Sequence, residues 1–199
     1  MARRKVEVRR EEILVACLDE VVARGLGNVR VGDVAAALGV SRALVFYHFE
    51  TKEALLEAAL EHAVARDLER LDVTLARDPD AVQRLRHVLR SYGPQGKAPG
   101  WTLWVDAWSA ALRDDKLRRT LRRLDRRWTS ALESVIRSGT DEGAFRCPDP
   151  AASAGRLAAL LDGLSVQVTV HRKLSRAQMA REVNQAAAAE LGIPPETLA

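Results

Sequence analysis

Residues 31 to 52 read VGDVAAALGVSRALVFYHFETK. Val31, Val34, Ala35 and Leu38 fall on one side of a short helix, and Gly39 breaks it. Val40 is apolar, and Ser41 is placed to cap a second helix running from Arg42 through Phe46 to about His48. Two short helices that meet sharply need a small close-packing residue, a turn residue and a cap. Ala35, Gly39 and Ser41 supply them in that order. The pattern is a helix-turn-helix, whose second helix fits the major groove of duplex DNA.

Two such helices bury too little surface to stand alone, so the flanks must pack behind them. Upstream, a helix from about Val8 to Arg24 carries Ile13, Leu14, Cys17, Leu18, Val21 and Val22 as one apolar stripe. Gly25 ends it, and Gly27-Asn28 makes the turn. Downstream, Thr51 caps a long helix from Lys52 whose stripe includes Leu55, Leu56, Ala59, Leu60, Val64, Leu68 and Leu71. Asp78-Pro79 reads as a cap followed by proline at the first helical position, and Asp149-Pro150 repeats it. Between them lie a helix ending near Tyr92, one from Trp101 to Arg113, and one from Lys116 to Ser138 closed by Gly139. The helix after Pro150 carries Leu157, Leu160, Leu161, Leu164 and Val168. Gly163 interrupts that run, for which a close helix–helix approach is a reason. Ser175 and Gln178 fit a capping box for the last helix, which runs to Leu191. Val166 to Val170 is β-branched but sits inside a continuous helical stripe, so no strand is assigned.

The chain has 199 residues, 47% hydrophobic and 29% charged, enough for a sizeable core. The two cysteines, Cys17 and Cys147, make no disulfide framework. There is no secretory segment and no long apolar run, and the expected setting is cytoplasmic and away from membranes. The net charge of +4 argues only weakly for nucleic acid. Arg3, Arg4 and Lys5 crowd the start of the chain, as a DNA-contacting arm or as a solvated terminus. Four histidines, at 48, 62, 87 and 171, are scattered without ligand spacing. No metal, cofactor or nucleophile–base set is expected, which argues against an enzyme.

The N-terminal part resembles the TetR family of transcriptional regulators. The matching residues are the Gly25 turn, Val34-Ala35, Gly39-Val40-Ser41, the aromatic run Phe46-Tyr47-His48-Phe49, and Lys52, Glu53 and Leu55. Trp101, Trp104 and Trp108, with Leu161-Asp162-Gly163-Leu164, are similar to the choline-responsive BetI-like subgroup. The resemblance implies an all-α homodimer. Residues 1–51 would form a three-helix DNA-binding head, and residues 52–199 a larger helical body for effector binding and dimerisation. It also implies repression of a palindromic operator, relieved by a small molecule. The alternatives are an activator, an effector-independent architectural DNA binder and, remotely, a helical enzyme. The family's threonines before the first short helix are replaced by Val29 and Arg30, and Arg30 can still reach phosphate. Glycine, threonine and tyrosine of its recognition helix are replaced by Ala43, Leu44 and Phe46. Phe46 is expected to keep the packing while losing a phosphate-binding hydroxyl.

Arg42 opens the recognition helix, and its fork can pair with guanine or rest on phosphate. Ala43 and Leu44 suit thymine methyls, although Leu44 equally suits the core. Val45 and Phe49 are expected inside the head. Tyr47 and His48 suit backbone oxygens, and Lys52 a phosphate at the first turn of its helix. Trp101, Trp104 and Trp108 share a helical face. They read either as core or as the wall of a site for an apolar or cationic effector, with Trp128, Gln167, Tyr92 and Phe145 as further wall candidates. Asp106 falls off that face and is expected to be exposed; no carboxylate stands out beside the indoles. The arginine-rich run from Arg113 to Arg127 reads as a solvated face or as a positive patch. Leu157, Leu161, Leu164, Met179, Val183 and Ala187 are assigned to the isologous dimer contact, the alternative being closure of the protomer core.

Overall fold

A computed structural model describes residues 2–94 and 100–198, with side chains from residue 9 onward. All regular structure among these residues is helical. The elements are α1 (Ala2–Arg24), a 3-10 turn (Leu26–Asn28), α2 (Val31–Ala37), α3 (Arg42–His48), α4 (Lys52–Leu75) and α5 (Ala81–Tyr92). They continue with α6 (Gly100–Ala111), α7 (Asp115–Asp141), α8 (Pro150–Thr169), α9 (Arg176–Leu191) and a closing 3-10 turn (Pro195–Leu198).

Side-chain caps set most helix starts. Ser41 Oγ accepts the Leu44 amide at 3.2 Å, and Thr51 Oγ1 accepts that of Ala54 at 3.0 Å. Asp149 accepts the Ala152 amide at 3.0 Å, with Pro150 at the first helical position. At α9 the capping box is closed in both directions, Gln178 N to Ser175 Oγ at 3.2 Å and Ser175 N to Gln178 Oε1 at 2.8 Å. At α5 the expected cap moves by two residues. Asp80 accepts the Gln83 amide at 2.9 Å, while Asp78 turns the chain by accepting the Asp80 amide at 3.1 Å. Helix α7 runs past Gly139, which is buried because the Phe145 ring lies over it, only 2.2 Å from where a Cβ would be.

The chain packs as two compact units: residues 1–66 with 102–122, and residues 67–101 with 123–199. Helix α4 contributes Leu55, Leu56, Ala59, Leu60 and Val64, all buried, to the first unit. The core of the first unit also takes in Ile13, Cys17, Val34, Val45 and Phe49. Burial pushes the Cys17 thiol up to about 12, so it is an inert core group. The core of the second unit includes Leu85, Leu132, Ile136, Leu157, Leu161 and Leu191. No described helix is long and apolar enough to cross a membrane.

Candidate nucleic-acid interface

Helix α3 is anchored by Val45 and by Phe49 just after it, 0% and 4% exposed. With those two turned inward, helical geometry sends Arg42, Ala43, Phe46 and Tyr47 outward, and all four are exposed. Phe46 is 45% exposed, which corrects its expected packing role: Val45 and Phe49 fill the apolar side and leave it no place there. Tyr47 is 77% exposed, with its ring edge-on to His48 at 5.3 Å. Leu44 and His48 are half-buried at the margin.

The Arg42 guanidinium folds back over α2. Its Nε and Nη2 both lie 2.8 Å from where a Cβ on Gly32 would be. Arg42, Arg30, Lys52 and Asp33 share a cleft of about 460 Å³, so three cations face one carboxylate. Asp33 Oδ2 accepts the Arg30 amide at 3.3 Å and so caps α2. Lys52 is half-buried and donates from Nζ to the Gly27 carbonyl at 3.2 Å, so it braces the turn before α2. Ser41 is exposed and already engaged as a cap. The side chains of Arg3, Arg4 and Lys5 lie outside the described residues.

Asp106 is half-buried, which corrects the expectation of exposure. Its Oδ2 accepts the backbone N–H of Leu26 at 3.2 Å, across 80 residues of sequence. Trp104 and Trp108 of the same helix are half-buried, their rings 6.0 Å apart and tilted by 41°.

In the second unit, Trp101 is buried and donates from Nε1 to the Tyr92 carbonyl at 3.1 Å. The Tyr92 ring meets that of Trp128 edge-on at 5.7 Å. Two carboxylates, Asp162 and Asp125, act on the Tyr92 hydroxyl by charge and hydrogen bonding. Burial and these negative neighbours raise the phenol well above its usual range. Burial, then the charge of Asp125, pushes the Asp162 carboxyl up to about 7. Asp125 is exposed at its surface, and its own rise comes from partial desolvation, opposed by Tyr92 and Arg126. Two carboxylates thus share a partly buried site with Tyr92, whose ring packs edge-on against Trp128. These carboxylates are what sequence reading missed. Asp125 sits inside an arginine-rich run, and Asp162 inside an apolar helix, so neither spacing reveals that both face Tyr92. Gln167 is half-buried, and Phe145 is taken up by Gly139. Arg118 and Lys116 of the basic run pair with Asp115 at 2.7 Å and Glu57 at 3.2 Å, as a solvated face does.

Leu157, Leu161, Met179, Val183 and Ala187 are each at most 4% exposed within one protomer, and Leu164 is half-buried. The five side chains so covered help to close the protomer core. Gly163 has nothing within 4 Å of its would-be Cβ, nor has Gly155. With Ala159 between them, they form an exposed small-residue face on α8.

Two family models match the chain. Residues 13–59 match the family of bacterial regulatory proteins, tetR family, and residues 81–192 match the BetI-type transcriptional repressor, C-terminal. The HTH-type transcriptional regulator BetI of Burkholderia cenocepacia is 32% identical over 164 residues, 79% of this chain and 80% of that protein. BetI of Pseudomonas paraeruginosa is 28% identical over 162 residues, 79% of each chain. A transcriptional regulator from Saccharomonospora viridis, solved in complex with choline, superposes with a TM-score of 0.77 at 31% identity. That match covers 89% of this chain and 94% of the other. A TetR-family regulator from a Rhodococcus species gives a TM-score of 0.78 at 28% identity, covering 91% and 95%.

Proposed function

The chain belongs to the TetR family, with a C-terminal part of the BetI type, and from that membership we propose a choline-type repressor. It is a ligand-responsive, DNA-binding transcriptional regulator and not an enzyme. TetR-family regulators bind DNA as homodimers and typically respond to small-molecule effectors. On this reading a dimer holds a palindromic operator and releases it when a small organic cation occupies the cluster of Tyr92, Trp128, Asp125 and Asp162.

The observation that carries the ligand class is two carboxylates converging on Tyr92, whose ring packs edge-on against Trp128. A quaternary ammonium gains from aromatic faces and from fixed negative charge, and it loses little hydration on entering. The choline held by the Saccharomonospora viridis regulator supports the same class. A cation beside Asp162 favours its ionised form, so binding should release a proton near neutral pH and tighten as pH rises through about 7. On the DNA side, exposed Arg42, Ala43 and Tyr47 approach the groove. Arg30 and Lys52 lie in the cationic cleft beside them, where backbone phosphates would sit. His48 and Leu44 stand at the edge of that contact, and Ser41 holds the helix start.

Calorimetric titration with choline chloride and with its uncharged isostere 3,3-dimethyl-1-butanol tests the reading. Saturable binding of choline, with the neutral alcohol at least about tenfold weaker, is the expected outcome. Equal binding of the two would remove the charge argument, and no binding of choline at millimolar concentration would overturn the ligand class. The DNA arm is selection of bound duplexes from a random pool, with a two-fold symmetric site expected.

A further inference from the structure

Gly32 stands second in α2, a helix of seven residues. Alanine suits a helix better than glycine does, because glycine gives up more backbone freedom on folding. A glycine inside a helix therefore needs a reason. Backbone conformation does not supply one: Gly32 is helical, unlike Gly25 and Gly39 on either side of α2, whose φ angles are 82° and 64°. The core does not supply one either. Val31, Val34 and Ala35 carry the buried side of the helix, and Gly32 is half-buried at its margin. What fills the space is a side chain of α3. The three atoms nearest to where a Cβ on Gly32 would be are Arg42 Nε, Nη2 and Cζ, at 2.8, 2.8 and 3.0 Å. Both residues belong to the first unit.

The bare backbone at Gly32 is thus a seat for the guanidinium. Arg42 is exposed, and among the described residues no hydrogen bond or ion pair holds its side chain. Charge in the cleft does not hold it there: Arg30 and Lys52 are cations, and the Asp33 carboxylate caps the Arg30 amide. Shape sets where the guanidinium lies. Direction matters for reading a base, because a long side chain has many rotamers and its fork meets guanine O6 and N7 in one orientation. With the Nε–Nη2 edge turned to α2, the directions open to the fork are narrowed before a duplex arrives. A Cβ at residue 32 would come closer to these atoms than real contacts allow. What yields is the far end of a flexible, exposed side chain, so the helix survives and the direction of Arg42 changes.

We propose that Gly32 is a positioning residue for base recognition. The space it leaves on α2 directs Arg42 towards one base pair of each half-site, and a side chain at residue 32 redirects it. The inference rests on Arg42 entering the major groove. It goes further in making an α2 residue, which need not touch a base itself, a determinant of the base that is chosen.

The test uses the full-length protein as wild type, Gly32→Ala, Arg42→Ala and the double variant. Each is carried through duplex selection from a random pool. Each is then titrated with the wild-type duplex and with the other base pairs at the position that Arg42→Ala relaxes. Gly32→Ala should lose about fivefold or more of the discrimination at that position, in both half-sites. Discrimination at the other positions should hold within about twofold. In the Arg42→Ala background the same substitution should change affinity by less than about twofold, since the side chain it redirects is gone. The thermal midpoint of Gly32→Ala should equal or exceed that of wild type, which separates redirection from damage. Gly32→Ser places a Cβ at the same point and should reproduce the effect. It takes the place of Gly32→Ala should that variant melt below the assay temperature. Wild-type discrimination in Gly32→Ala or Gly32→Ser, with Arg42→Ala impaired, would overturn the role of Gly32 alone. An equal loss of affinity for every duplex would overturn it too, since that is a fault of docking and not of base choice. If Arg42→Ala keeps the full wild-type preference, Arg42 does not read the groove, and both that reading and this proposal fall.

Discussion

Asp162 holds its proton to about pH 7 because it is half-buried in the second unit near the charge of Asp125. Its folded pKa lies above that of the unfolded chain. The folded state therefore binds more protons between about pH 4 and pH 7, and stability is lost as pH rises through that window. Asp162→Asn removes this titration. Thermal melts should show the variant gaining on wild type from pH 5 to pH 7.5, by roughly 2 °C or more, and a constant difference across that range would refute the buried carboxyl. The same substitution should weaken choline binding, because the charge that draws the cation is gone. At the other unit, Arg42 lies across Gly32 with no room for a Cβ between them. Arg42→Ala should relax the preferred duplex at one symmetric pair of positions, costing about 1–3 kcal/mol of discrimination per site. Duplex selection with the variant reads this directly.

At the scale of single elements, the short helices depend on their ends. Helix α3 has seven residues, too few to hold itself, and one hydroxyl satisfies its Leu44 amide. Ser41→Ala should cost about 1 kcal/mol in denaturant unfolding and lower duplex affinity at the same time. A stability change without a change in DNA binding would separate the cap from the recognition surface. Caps of this kind were legible in the sequence because they act over three residues: Thr51, Asp149 and Ser175 all do what their spacing predicts. The cap of α5 was misplaced by two residues because Asp78, Pro79 and Asp80 offer two carboxylates to one helix start. Gly139 was read as a stop and is instead the place where Phe145 crosses α7. A glycine's local sequence does not distinguish a chain reversal from a close approach, since both exploit the missing Cβ. Gly139→Ala should destabilise the second unit by about 1–3 kcal/mol through overpacking, measured by urea unfolding.

For the whole molecule, operator recognition by a two-fold dimer needs a surface that the protomer leaves open. In the apolar stripes of α8 and α9, Leu157, Leu161, Met179 and Val183 are buried within the protomer, while Leu160 and Leu164 are half-buried. The exposed residues of α8 include Gly155, Ala159 and Gly163, a face that lets another helix come close. Ala159→Glu should shift the protein toward monomer in sedimentation and abolish tight binding to a palindromic duplex, with the fold retained by circular dichroism. A variant that stays dimeric would place the contact elsewhere. The sequence alone determined the helix-turn-helix, the order of the helices and the membership of the N-terminal part. These follow from periodicity, caps and turn residues, which are short-range properties of the chain. It also offered Trp101, Trp104, Trp108, Trp128, Gln167, Tyr92 and Phe145 as wall candidates, of which Trp104 and Trp108 fall in the first unit. Only the tertiary structure decided that Asp125 and Asp162 meet at Tyr92, that Asp106 reaches Leu26, and which side of each stripe faces inward. Those facts join residues tens of positions apart, and periodicity shows that a helix has an apolar side without saying what covers it.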